Sequence, residues 1–203
     1  MVKRHRALLS IGALALPLLA ACAEDLTVEN ADEGSGDGNA AVVTEAGTGG
    51  TSLTRVDASD MAAWRYFSFE TASEVVPADP ATATDWDLAF QRFHILSNGG
   101  VTGAGGAAVA VLSGRALADV TAAPADGYVE DSPDGDDDDT IAESAFSEGD
   151  GWYAYDPATN RLSPYPNVYV VRTGSGAQFK LVIVDYYDEA GTSGHPLFEW
   201  ASL

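Results

Sequence analysis

Alternation of apolar and polar positions is the clearest pattern in the chain. In WDLAFQRFHIL, residues 86–96, Trp86, Leu88 and Phe90 fall on one face of an extended segment, followed by Arg92, His94 and Leu96. Asp87, Ala89, Gln91, Phe93 and Ile95 take the other face. This period of two predicts one β-strand. It ends at Asn98-Gly99-Gly100, where Asn and Gly accept positive φ at low cost. WRYFSFE, residues 64–70, sets Trp64, Tyr66 and Ser68 against Arg65, Phe67 and Phe69. Aromatics on both faces predict a strand covered from both sides. GAGGAAVAVLSG, residues 103–114, adds a short apolar strand after glycines that let backbones approach. PNVYVVRTGSGAQFKLVIVDYYD, residues 166–188, holds two strands around Thr173-Gly174-Ser175-Gly176, a hairpin signal. HPLFEWASL, residues 195–203, predicts a closing strand. The one helical candidate, DASDMAAWRYF at 57–67, has an Asp cap option and is brief. The expected fold class is all-β, with no internal repeat.

Two segments precede this body. MVKRHRALLSIGALALPLLAAC begins with the basic residues Lys3, Arg4 and Arg6, and an apolar stretch from Ala7 to Ala21 follows. That stretch is short for a membrane-spanning helix and fits a signal peptide. LAAC, residues 19–22, resembles a bacterial lipobox, so residues 1–21 are expected to be removed and Cys22 to be lipidated. Cys22 is the only cysteine and can close no intrachain disulfide. Residue 23 is Ala rather than Asp, which in Gram-negative sorting points to the outer membrane. Residues 22–50 predict a flexible tether: positions 23–50 hold seven acids, six glycines and no aromatic. The folded domain is then expected over 51–203, a normal single-domain length.

Charge narrows the function. The whole chain carries −21, and three of its ten basic residues but none of its 31 acids lie in the signal segment, which leaves −24 after cleavage. Such a field repels nucleic acid, and no basic patch opposes it. Residues 126–150 hold eleven acids, and no Lys or Arg lies between Arg115 and Arg161.

Candidate chemistry is thin. No Gly-x-Ser-x-Gly elbow follows a strand. Ser193 and His195 are close in sequence, but nothing supplies an orienting acid. GVTGAGG, residues 100–106, lacks the following helix that a dinucleotide loop needs. Asp134, Asp136 and Asp138 alternate in DSPDGDDDDT and present oxygens suited to Ca²⁺. The run lacks the loop glycine and the terminal Glu of a dedicated calcium site, so it is expected to be a solvated acidic loop. No acid–base or nucleophile constellation emerges, and the chain is not expected to be an enzyme.

Four blocks, in order, resemble the HmuY family of haem-binding bacterial outer-membrane lipoproteins. They are VDASDMAAWRYFSFE (56–70), WDLAFQRFHILSNGG with GAGGAAV and SG (86–114), PADGYVED with AFSEGDGW (124–152), and NVYVVRTGSGAQFKLVIVDYYD (167–188). The resemblance implies a single compact β-rich domain whose loops hold the ligand between them. It also implies haem capture at the cell surface and delivery to a TonB-dependent receptor. In well-studied members two histidines clamp the iron, one between the DGY and FSE blocks and one just after the GW block. Here those stretches are VEDSPDGDDDDTIAESA and YAYDPATNRLSPYP, without histidine, and the second ligand's nearest matches are Asp156 and Pro157.

Neither family ligand therefore carries over. The resemblance assigns His94 to a scaffold strand, and His195 lies outside its span; both stay candidate ligands, since residues far apart in sequence can adjoin in the fold. Tyr153, Tyr155 and Tyr165 sit near the second ligand loop, and a tyrosinate holds ferric haem. Arg161 is the base nearest that loop to meet the propionates. Trp86 and Asp87 beside Arg92 are expected to be core plus a satisfied polar pair. Two functions stay open: a surface lipoprotein that binds haem by a non-bis-histidine mode, or another small ligand; and a structural or protein-interaction lipoprotein that has lost haem binding.

Overall fold

A computed structural model of the chain describes residues 40–135, 140–147, 149 and 151–203. In chain order the strands are β1 (Val42–Ala46), β2 (Ser52–Val56), β3 (Arg65–Ser68), β4 (Ser73–Val75), β5 (Leu88–Gln91) and β6 (His94–Ser97). They continue with β7 (Ala108–Ser113), β8 (Tyr153–Asp156), β9 (Arg161–Pro164), β10 (Asn167–Arg172), β11 (Gln178–Tyr187) and β12 (Ser193–Ser202). The only helical element among the described residues is a 3₁₀ turn, Leu117–Asp119. The fold is all-β, and every paired strand is antiparallel.

A six-stranded sheet runs β1-β2-β12-β11-β10-β7, a four-stranded one runs β4-β3-β5-β6, and β8-β9 stand as a hairpin. The core is where the two larger sheets meet. β12 buries Gly194, Pro196, Phe198 and Trp200 on one face. Phe67 of β3 packs edge-on against Phe198 and Trp200, and Phe90 of β5 stacks on Phe198 at 5.5 Å. Offset and edge-to-face aromatic pairs add to the apolar area they bury. The outer face of the smaller sheet is covered as well: Tyr66, Trp86, Ala89 and Leu96 form a second cluster. That double cover explains the aromatics on both sides of WRYFSFE. β10 is likewise buried on both faces, because Val120 and Leu117 cover Val168 and Val170. Lys180 Nζ holds this cover by donating to the carbonyls of Leu117 (2.9 Å) and Val120 (2.8 Å).

Three expectations need correction. Residues 86–96 are not one strand: β5 and β6 form a hairpin whose turn is Arg92-Phe93. Arg92 takes φ 54°, a conformation that non-glycine residues seldom adopt. Its backbone N–H donates to Ala58 O (2.8 Å), and its guanidinium reaches Ser59 O, Ser193 O and Ser193 Oγ. Remote partners thus replace the missing turn residue. The candidate helix at 57–67 is a loop entering β3. Asp57 and Asp60 bond the backbone N–H groups of Ser59 and Ala62, a local alternative to helix. Residues 42–50, assigned by composition to the tether, instead form β1 and its turn into β2, with Val42 opposite Val56.

Asp87 also differs in its partner. Its Oδ2 accepts the Phe69 N–H at 2.8 Å, whereas Arg92 is engaged at Ser59 and Ser193. Trp86 is 1% exposed and donates through Nε1 to Pro80 O. Gly100, Gly103 and Gly105 serve packing, and Gly106 supplies a positive φ of 72°. A Cβ at Gly103 or Gly105 would strike Asn98, whose buried amide bonds Trp86 O, Ala83 O and the Gly105 N–H.

Candidate functional site

The β5–β6 turn decides what His94 does. By reversing the chain at Arg92-Phe93, it sets His94 at the start of β6, beside β8. Trp152 Nε1 donates to Phe93 O at 2.8 Å, which ties the turn to the segment entering β8. Phe93 then lies 4.2 Å from the His94 ring and 5.8 Å from the Tyr153 ring, between centroids. On the other side, Ser144 Oγ donates to Ile95 O at 2.7 Å and holds the 141–147 segment against β6. These three pieces enclose a cleft of about 220 Å³. His94 and Tyr153 both line it, with Trp152, Phe146 and Glu143. Both His94 and Tyr153 are engaged by neighbours in this state.

An irregularity in β11 supports the same wall. Its register to β12 shifts around Asp185, and Asp185 Oδ1 accepts the N–H groups of Tyr186 and Tyr187. A bulge lets consecutive residues both turn inward, and both tyrosines are buried. Tyr186 packs near Trp152, while Tyr187 Oη accepts the Leu162 N–H at 2.8 Å and fixes β9.

The acidic run is anchored at its base. Asp131 is buried and bonds the backbone and hydroxyl of Ser97 at the end of β6. Burial pushes its carboxyl up to about 6, against the lowering effect of the Ser97 hydrogen bonds. Ser132 and Glu143 exchange two backbone hydrogen bonds that close the loop.

The other candidates are dispersed. Tyr165 lines a separate cavity of about 470 Å³, beside Val109, Val129 and Asn167. Tyr155 is exposed, and its hydroxyl donates to Asn160 Oδ1 at 2.7 Å. Arg161 lies over the Tyr187 ring at 3.8 Å. His195 sits on β12 with Nε2 3.4 Å from Asp57 Oδ1 and Nδ1 3.2 Å from Thr192 O. Asp57 is held below the usual carboxylate range, first by the Ser59 hydroxyl. Asp134 is exposed, while Asp136, Asp138 and Cys22 lie outside the described residues. Among the described residues, no three His, Cys, Asp or Glu side chains converge as a metal site. Sequence reasoning missed Trp152 and Phe93 as site residues; the GW pair of the third block was the available signal for Trp152.

The cleft therefore places an imidazole and a phenol among aromatic side chains. Among the described lining residues Glu143 is the one carboxylate, and none is Lys or Arg.

Solved structures share this architecture. The chain resembles an apo HmuY analogue from Tannerella forsythia, with TM-score 0.56 and 17% identity over 78% of this chain and 95% of that one. A Bacteroides vulgatus protein described as HmuY-like and haem-binding gives 0.56 and 19%, over 79% and 96%. Apo PinO from Porphyromonas gives 0.56 and 16%, over 75% and 97%. At these identities the likeness establishes the fold. Among curated protein sequences no match is found. The HmuY family model matches residues 60–200, most of the chain, and the chain belongs to the HmuY family of haem-binding lipoproteins, which are carriers and not enzymes.

Proposed function

We propose that this protein is a lipid-anchored haem-binding protein of the cell envelope, exposed at the outer membrane. We assign the haem iron to His94 and Tyr153 in place of two histidines. One observation carries the reading: these two side chains line one cleft, built from β6, the 141–147 segment and the start of β8. Histidine and tyrosinate are both established axial donors to haem iron. No described lining residue is Lys or Arg, so on this reading the propionates point toward solvent. Delivery to a TonB-dependent receptor follows from the same reading, and attachment through Cys22 supplies the location.

Haemin titration of the purified protein, followed in the visible spectrum, tests the assignment. A saturable change is expected that weakens in both His94→Ala and Tyr153→Phe and persists in His195→Ala and Tyr155→Phe. Equal titration of all four variants overturns it. Intact mass of protein extracted from host membranes tests the anchor: an unmodified Cys22 or a retained Met1 overturns it.

A second reading has its own support. The cleft of about 220 Å³ is below the range of about 300–1,000 Å³ that encloses small organic ligands. A scaffold that displays loops to a protein partner, with haem binding lost, accommodates a cleft of this size. No saturable spectral change with haemin favours it.

A further inference from the structure

The six-stranded sheet ends on β7, and part of that edge has no neighbour. Val109 exchanges both of its backbone hydrogen bonds with Val129, so its N–H and C=O point away from β10. Along an antiparallel strand, backbone groups two residues apart point the same way. Val111 and Ser113 therefore turn their N–H and C=O groups to the same outer side. The Val109–Val129 bridge is isolated, and at Gly127 the chain takes φ 82° and leaves the edge. Among the described residues, no backbone group bonds Val111 or Ser113 from that side. The free edge of β6 is treated differently: Ser144 caps Ile95 O, and Asp131 caps the Ser97 N–H. Beside Val111 and Ser113 lies the cavity of about 470 Å³ whose lining includes Val109, Val129 and Tyr165. No described lining residue is charged, and Val111 and Val129 are both exposed.

We propose that the Val111–Ser113 edge binds an extended basic peptide, which adds one short strand to the sheet. An unpaired strand edge is a template for such pairing. Val111 and Ser113 offer four backbone groups to the peptide. The cavity receives those of its side chains that alternate toward the core. These must be uncharged, because nothing in the lining offsets a buried charge. The peptide's remaining side chains meet acids. Asp126 and Glu130 are exposed on either side of the 127–129 segment, within a stretch of eleven acids from 126 to 150. The neighbouring bases leave that field standing: Arg172 lies over the Tyr128 ring, and Arg115 follows the turn at Gly114. The same charge selects against self-pairing. A second copy brings its own −21, and residues 23–39 of this chain hold six acids and no base.

Calorimetric titration of the purified protein at physiological ionic strength tests the proposal. The probe is the peptide acetyl-Lys-Val-Lys-Val-Lys-Thr-Lys-amide, and its counterpart carries Glu at every Lys. The basic peptide is expected to bind saturably and at least about tenfold more tightly than the acidic one. Two further peptides keep the basic sequence and its charge, one N-methylated at the Lys residues and the other at the Val and Thr residues. An added strand turns only one of these two sets of N–H groups to β7. One set is therefore expected to abolish binding and the other to leave it within about threefold, which also gives the direction of the strand. Val111→Pro removes an N–H of the open edge without touching a bond to β10, and is expected to weaken binding several-fold while the haemin titration is unchanged. A Kd weaker than about 1 mM for the basic peptide overturns the proposal. Equal effects of the two methylated sets, whether both bind or both fail, overturn it too, because the attraction is then charge alone. Self-association without peptide binding overturns it in favour of a second copy at the edge. Should Val111→Pro fail to fold by circular dichroism, the pair of methylated peptides on the unmodified protein still decides.

Discussion

Ser97 donates twice to the carboxylate of Asp131, from its backbone N–H at 2.8 Å and from its hydroxyl at 2.7 Å. The pair joins the end of β6 to the base of the acidic loop. Burial nevertheless dominates and raises the Asp131 pKa from 3.8 to about 6. Between those values the unfolded chain is ionised while the folded chain keeps its proton. The group's stabilisation is complete below about pH 4 and is lost as pH rises through about 6, a change of about 3 kcal/mol. Asp131→Asn removes this titration. Urea unfolding at several pH values should show the Asn variant gaining on the unmodified protein as pH rises from about 4 to about 7. Parallel pH profiles for the two proteins would contradict the assignment.

Arg92→Ala should destabilise the protein by about 2–4 kcal/mol, because the guanidinium bonds to Ser59 and Ser193 are lost while the positive φ remains. Arg92→Gly loses the same bonds but relieves the backbone, and should cost about 1 kcal/mol less. Denaturant melts of both variants give the order. A glycine variant less stable than the alanine variant would refute this account of the turn.

Lys180→Met should cost about 2 kcal/mol by leaving the Leu117 and Val120 carbonyls without their shared donor. The lesion lies on the outer face of β10 and β11, so the haemin titration should be unchanged. A normal urea midpoint would show that the 3₁₀ turn holds without the lysine.

Trp152 is the one tryptophan of the four that lines the His94 cleft. Haemin bound there would touch its ring, so Trp152→Phe should weaken the haemin titration several-fold. The variant also loses the bond to Phe93 O, at a cost of about 1–2 kcal/mol. An unchanged haemin titration in Trp152→Phe would move the haem away from the cleft.

The parts of the fold that sequence revealed are those fixed locally. β12 alternates cleanly, β10 and β11 are runs of β-branched and aromatic residues, and Thr173 to Gly176 names its own turn. The β5–β6 reversal was invisible because neither Arg92 nor Phe93 is a turn former. Its stabilising partners lie 33 and 101 residues away. β1 was hidden among acids and glycines, since its register comes from β2 rather than from its own composition. The same division holds at the site. The FSE and GW blocks marked the loops that build the cleft, but His94 joined them only through the unseen turn. Asp131 looked like one more acid in a solvated run, and only the tertiary fold buries it against Ser97.

β1 has a mechanical consequence. A pull on the chain at its first described residues enters the fold at Ala41, whose carbonyl accepts the Asp57 N–H, and at Val42, on the edge of the six-stranded sheet. Val42 is opposite Val56, and the pairing ends at Ala46 opposite Ser52. A pull that lifts Val42 from the edge breaks the ladder one pair at a time, and Val42 is the only residue of β1 in the core. The first strand is thus a fuse: it peels under tension while the sheet from β2 to β7, and the His94 cleft with it, stays whole.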